Sequence, residues 1–193
     1  MKKFLDESWL VLVMGIVFAV LLAGTQSATK DRIRANEIKK RNDAITHVVP
    51  AMGEKGRTEE LELKVDETTF VVFKCFDDAD QFVGWAVQHE GGGFIDKITL
   101  MVGLSPDGKS LTGMEAIKHT ETPGLGNKID PGNDFPLQFV GKATVPTLEV
   151  KKGAVTNDSE ILAITGATWS SRYVTDIINE VTSLVGPKLD ELR

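Results

Sequence analysis

The stretch Ile95–His119, IDKITLMVGLSPDGKSLTGMEAIKH, decides the fold. Two apolar runs, Ile95–Val102 and Leu111–His119, flank Ser105-Pro106-Asp107-Gly108. Proline presets φ for a tight turn, and glycine accepts its strained corner. An antiparallel hairpin is predicted. Upstream, Leu61–Val65, Thr69–Phe76 and Phe82–Gln88 alternate β-branched and aromatic residues and read as further strands. Downstream, the Gly/Pro-rich segment Glu121–Pro136 leads to two short strand candidates, Leu137–Val140 and Thr147–Val150. An apolar run, Ile161–Ile164, then gives way to a helix from about Ser170 to Leu184. Ile177, Ile178, Val181 and Leu184 share one helical face, and Gly186-Pro187 ends the run. There is no internal repeat. The pattern predicts an α+β fold: a mainly antiparallel sheet with flanking helices.

Before the strands lies a segment of another kind. Ser8 to Thr29 holds no charged residue. About 22 residues at ~1.5 Å each reach ~33 Å, enough to cross a ~30 Å hydrocarbon core. Lys2 and Lys3 flank one end, and Lys30, Arg32 and Arg34 the other. A cleaved signal peptide is the competing reading, but the apolar stretch is somewhat long for one and no clean small-x-small site ends it. Thr25 stands where a lipoprotein signal would need cysteine. The expected organisation is a retained single-pass transmembrane helix over residues 1–29 and one domain over 30–193, the α+β fold thus being preceded by one N-terminal transmembrane helix. Helix is expected to continue from Thr29 to about Val49, where Pro50 stops it. The basic residues after the span would hold the domain in the cytoplasm by simple charge counting. Long domains obey that count poorly, so charge leaves the side open.

Composition narrows the function classes. The 193 residues carry a formal net charge of -6, which argues against a nucleic-acid partner, since such binding draws on clustered Lys and Arg. Cys75 is the only cysteine, so neither an intrachain disulfide nor a cysteine-built zinc or iron–sulfur site is available. It sits in the apolar run Thr69–Phe76 and reads as a buried structural thiol. His47, His89 and His119 share no metal-ligand spacing, so no metal site is expected. Gly91-Gly92-Gly93 is a weak phosphate-loop signal, because neither a helix pattern nor Lys-Ser/Thr follows.

Two segments carry chemistry. Thr165-Gly166-Ala167-Thr168-Trp169-Ser170-Ser171 lies where the apolar run meets the last helix. A helix start presents unpaired N–H groups and partial positive charge, which suits phosphate. Glycine lets a ligand come close, and three hydroxyls share the turn. An ordinary Ser/Thr cap explains the same residues. The second segment is His119-Thr120-Glu121-Thr122-Pro123-Gly124-Leu125-Gly126. It could lay Leu125 against a planar ring, or it is simply a surface loop.

Together these segments resemble the FMN-binding domain shared by the G subunit of Rnf-type ion-translocating electron-transport complexes and the C subunit of sodium-pumping NADH:quinone reductase. Thr165–Ser170 matches that family's Ser/Thr-Gly-Ala-Thr signature with a hydroxyl two places on, and Glu121–Gly126 matches its Glu-Thr-Pro-Gly-Leu-Gly element. The single N-terminal span fits too, and the Gly126-Asn127-Lys128-Ile129 continuation looks more like the Rnf subunit. The resemblance implies that Thr168 carries FMN through a phosphoester, attached by a separate flavin transferase that uses FAD and Mg²⁺. It places Thr165, Gly166, Ala167 and Ser171 near the phosphate, and Glu121, Thr122, Leu125 and Gly126 near the ring. Lys128 and Lys151 are further candidates for charge beside the flavin. Thr168 is then an acceptor of modification and not a catalyst, and no residue of the chain is expected to be catalytic on its own.

The resemblance further implies an electron-transfer subunit of a ferredoxin:NAD⁺ oxidoreductase, with other membrane subunits as partners. It places the chain in the inner membrane, with the flavin domain on the periplasmic or outer side. No dinucleotide fingerprint is present, so electrons would pass between subunits without this chain binding NADH. A quinone-reductase subunit and an anchored module without redox chemistry are the alternatives. One departure stands out: Leu162 occupies a position where family members often carry Asp. Asp158 or Glu160 are the candidates to replace that carboxylate.

Overall fold

The computed structural model describes residues 2–192, with side chains from Trp9 onward; the flanking charges of Lys2 and Lys3 lie outside the described side chains. The chain divides into two compact units, 1–40 and 41–193. The first belongs to helix α1 (Lys2–Val48). Its apolar residues from Trp9 to Leu22 are exposed all round the helix, and it is long and apolar enough to cross a membrane. Water disfavours a helix with no polar face, whereas lipid accepts one.

The second unit is built on β1 (Arg57–Val65), β2 (Thr68–Phe76), β3 (Phe82–Gly91), β4 (Ile98–Leu104) and β5 (Leu111–Lys118). They form one antiparallel meander in chain order. The decisive hairpin forms with Gly103 opposite Gly113 and Leu104 opposite Leu111. Gly108 takes φ +68° at its corner, and the Asp107 carboxylate accepts from Ser105 Oγ and the Lys109 N–H. The β4 strand starts at Ile98 rather than Ile95, and it does not alternate: all seven of its residues are buried. The cause is cover on both faces. One face packs Trp85, Val87, Leu100 and Val102 against Val174, Ile178 and Val181 of α3 (Thr168–Leu184). The other packs Phe73, Cys75, Ala86 and Met101 against Ala44, Ile45, Val48 and Val49.

That second contact is unusually close. A Cβ on Gly103 would collide with the Val48 carbonyl, and one on Gly113 would lie 3.2 Å from the Val48 Cα. Thr112 Oγ1 donates to the same carbonyl, which the end of a helix otherwise leaves unpaired. His47 Nδ1 meets the Glu115 carboxylate at 2.8 Å.

After β5 the chain crosses to the first face. A one-turn helix, α2 (Asp134–Leu137), replaces the expected strand Leu137–Val140. Phe135 and Phe139 are buried four residues apart with ring centroids 5.4 Å apart. That spacing is helical, and proline in the first turn is compatible with it. Two short strands, β6 (Glu149–Lys151) and β7 (Glu160–Leu162), then pair in parallel. Side-chain amides act as substitute strands at their edges. Gln138 Oε1 accepts from the Leu162 N–H at 2.8 Å while its Nε2 donates to the Leu162 carbonyl at 3.2 Å. Asn179 grips Leu148 in the same way, both bonds being 2.9 Å.

Candidate functional site

The turn after β7 brings the first chemical segment to the start of α3. The Ala167 N–H donates to the Ile164 carbonyl at 2.9 Å, with Gly166 at the third position of the turn and φ +82°. Glycine is the residue that adopts this conformation without strain. Ser171 closes the turn from inside: its Oγ accepts from the Ile164 N–H at 2.9 Å and donates to the Ala167 carbonyl at 3.0 Å. It is fully buried and so braces the turn from within.

No hydroxyl caps α3. Ala167 occupies the cap position without a side-chain bond. The Thr168 hydroxyl, half-buried at the first helical position, makes no hydrogen bond among the described residues. The first-turn N–H groups of Thr168, Trp169 and Ser170 have no intrahelical acceptor, as at any helix start. The turn thus presents a free hydroxyl beside a partial positive charge.

Glu121 carries the second segment to this place. It is buried, and its two oxygens face different elements. Oε1 accepts from the Phe94 N–H at 2.7 Å, and Oε2 accepts from Ser170 Oγ at 2.6 Å. One carboxylate thereby ties together the loop after β3, the loop after β5 and the first turn of α3. Gly126 lies under the junction, where a Cβ would come within 2.7 Å of both Glu121 Oε2 and Ser170 Oγ. Leu125 reaches Gly166 across the gap, 3.0 Å from where a Cβ would be.

The result is a cleft of about 80 Å³ lined by Glu121, Thr122, Leu125, Gly126, Gly166, Ala167 and Thr168. The two segments singled out in the sequence are therefore neighbours. Phe94, Trp169 and Ser170 complete the lining. Phe94, Leu125 and Trp169 are largely exposed at its rim. A second cleft, of about 430 Å³, borders Thr165, Gly166, Thr168 and Trp169 and includes Lys152. A third, of about 390 Å³, runs from Thr165 past Leu162 to Lys128 and Asp134.

Several expectations shift. Thr165 is exposed and lines the two larger clefts, not the small one. Lys151 lies 3.1 Å from Glu149 and 3.7 Å from Glu160, and Lys152 borders the Thr168 cleft in its stead. Glu160 is spent on its own loop, accepting from the Thr156 N–H at 2.7 Å and hydroxyl at 2.9 Å. Those bonds and the charge of Lys151 hold its carboxyl below the usual carboxylate range, the Thr156 backbone first. Neither Asp158 nor Glu160 lines the small cleft or the second cleft beside Thr168. Gly91 and Gly92 of the glycine triplet face Ile177 and Tyr173 of α3, so they serve packing. Among the described residues no three His, Cys, Asp or Glu side chains are grouped to hold a metal ion. Sequence reasoning missed Phe94, Trp169 and Lys152. Trp169 stands inside the motif itself, and its exposure under the Arg172 guanidinium, 5.2 Å from the ring, marks it.

This arrangement can hold a phosphate at a helix start next to an apolar rim. The small cleft is too shallow to enclose a tricyclic ring, but Phe94, Leu125 and Trp169 offer it a surface.

Comparison with known proteins gives the family and the fold. The FMN-binding domain family model matches residues 93–183, which include both segments. The G subunit of an ion-translocating oxidoreductase complex from Methanosarcina acetivorans is 30% identical over 176 residues, 91% of this chain and 90% of that protein. The G subunit of the Na(+)-translocating ferredoxin:NAD(+) oxidoreductase complex from Acetobacterium woodii is 40% identical over 102 residues, 51% of this chain and 47% of that protein. In fold, the chain matches the crystal structure of Shewanella oneidensis NqrC with a TM-score of 0.66 at 18% identity, over 80% of this chain and 98% of that one. The chain belongs to the family of G subunits of ion-translocating oxidoreductase complexes, and its residues 93–183 match the FMN-binding domain.

Proposed function

We propose that this chain is the electron-transfer subunit of an Rnf-type, ion-translocating ferredoxin:NAD⁺ oxidoreductase complex, and that Thr168 carries its FMN through a phosphoester. The relatives named as G subunits of such complexes support the first part. The observation that carries the second is the free Thr168 hydroxyl at the start of α3, facing two clefts. Ser170 and Ser171 are engaged internally, and Thr165, the remaining hydroxyl of the segment, does not line the small cleft.

Attachment requires a flavin transferase supplied with FAD and Mg²⁺. A bond forms between Thr168 Oγ1 and the phosphorus of the FMN half, the phosphoanhydride bond breaks, AMP leaves, and the hydroxyl proton passes to solvent or a base. Nothing is oxidised or reduced in that step. Thr168 and the α3 N–H groups would hold the phosphate, with Lys152 adding charge. Leu125, Phe94 and Trp169 would support the ring, and Glu121 would keep both loops in place. Bound FMN supplies reversible electron acceptance, and the residues around it tune it by packing and hydrogen bonds. The other membrane subunits are its redox partners. The flavin domain lies on the periplasmic or outer side in this reading.

The full chain, coexpressed with a flavin transferase, should give a fluorescent band in denaturing electrophoresis. The peptide containing Thr168 should gain the mass of FMN less one water. Thr168→Ala should abolish both. A band that persists in that variant would sink the covalent assignment, and a colourless wild-type chain would favour a module without redox chemistry.

A further inference from the structure

We propose that His119 is a positioning residue for the flavin cleft: it holds the Glu121 backbone through one ring nitrogen and the far end of the same loop through the other. The proposal rests on the flavin reading for its consequence, not for its geometry.

The imidazole closes the base of the loop that carries Leu125. The Glu121 N–H donates to His119 Nδ1 at 3.1 Å. An accepting nitrogen carries no proton, so the ring proton is on Nε2. Nε2 lies 2.6 Å from Asp130 Oδ1, and the carboxylate selects that tautomer. The His119 side chain is 12% exposed and that of Asp130 38%. Asp130 is itself fixed: its N–H donates to the Asn127 carbonyl at 3.0 Å, and its carbonyl accepts from Asn133 Nδ2 at 3.0 Å. His119 thus joins the two ends of a segment whose tip, Thr122–Leu125, is exposed.

His119 does not line the cleft; it acts through Glu121. With the Glu121 backbone set, the side chain can reach Phe94 and Ser170 together. Without it, the loop is tied to α3 by a side chain whose own backbone is loose, and Leu125 loses its fixed place against Gly166.

Substitution separates this role from bulk. Asparagine can accept from the N–H two residues on, as in an Asx turn, while giving up the reach to Asp130. Alanine loses both bonds. Two readouts apply to the full chain in detergent. One is the visible circular dichroism of the attached flavin, which reports the asymmetry of its surroundings. The other is thermolysin cleavage before Leu125 in the unflavinylated Thr168→Ala background, which reports the loop without any flavin. His119→Ala should change the visible dichroism and speed cleavage about tenfold, the effect of losing a strong hydrogen bond. His119→Asn should return both toward wild type. Wild-type behaviour of His119→Ala in both readouts overturns the proposal, as does His119→Asn behaving like His119→Ala. Should His119→Ala fail to accumulate, His119→Gln takes its place against His119→Asn, and equal behaviour of those two overturns it. Flavin retained by Thr168→Ala would count against the attachment site alone; the cleavage comparison, run on chains made without the transferase and free of flavin, would still decide on His119.

Discussion

Ser170 Oγ donates to Glu121 Oε2 at 2.6 Å, joining residues 49 apart in the sequence. Both groups are buried, so this bond is the point where the two halves of the small cleft are held together. Removing the hydroxyl leaves a buried carboxylate oxygen without its partner. Ser170→Ala should cost about 1–3 kcal/mol, read as a lower denaturation midpoint of the full chain. Ser170→Thr, which keeps the hydroxyl, should cost less. Equal stability of Ser170→Ala and wild type would show that the bond is not made in solution.

Gly126 tests the same junction by crowding. Its backbone does not require glycine by φ, so only space is at stake. A methyl group there would press on Glu121 and Ser170 at once. Gly126→Ala should destabilise by about 1–3 kcal/mol, the usual range for overpacking, and reduce flavin attachment in parallel. Gly124→Ala, at a position open to solvent but with φ +78°, isolates the backbone effect and should leave Glu121 and Ser170 undisturbed. Calorimetry and flavin content on both variants separate the two causes.

Glu160 makes acid stability informative. Its carboxyl is held below the usual range, so the folded state favours the ionised form. A depressed carboxyl contributes stability that is present above its unfolded value and is lost as pH falls through the folded value. The wild type should therefore lose stability on acidification below the ordinary carboxylate range. Glu160→Gln should show a shallower acid limb. Matching pH profiles for the two proteins would remove Glu160 from the account.

Cys75 reports on the second face of the sheet. It is fully buried, and burial pushes its thiol up to about 12. The thiolate is the reactive form, so a maleimide should not label the folded chain near neutral pH, and labelling should track unfolding by denaturant. Rapid labelling without denaturant would mean that this face opens on its own.

The hairpin is legible in the sequence because Ser105–Gly108 is a turn with a local mechanism, and local mechanisms survive folding. The strand expected over Leu137–Val140 fails for a physical reason. Four residues cannot distinguish period 2 from period 3.6, and Phe135, which reveals the helical spacing with Phe139, lies outside the run. The Thr165–Ser171 and His119–Gly126 segments stand out as chemical segments. Their pairing comes from resemblance, and Glu121–Ser170 is a long-range contact that no local pattern encodes. The internal bonds of Ser171 are illegible for a similar reason: a serine in a phosphate-like turn and a serine that closes the turn from inside look alike until the backbone is drawn. The choice between Lys151 and Lys152 depends on strand facing. Lys151 ends β6 beside Glu149 and Glu160, and the next residue turns toward the cleft.

The glycine floor beneath Val48 governs where the chain can be shortened. Ala44, Ile45, Val48 and Val49 look like the tail of the long N-terminal helix, yet they cover Phe73, Ala86 and Met101 and sit on Gly103 and Gly113. A truncation placed at Pro50, where sequence propensity ends the helix, would strip that cover and bare an apolar sheet face prone to association. A cut before Arg41 leaves the whole seal in place, so the soluble fragment with the best prospects of crystallising is the longer one.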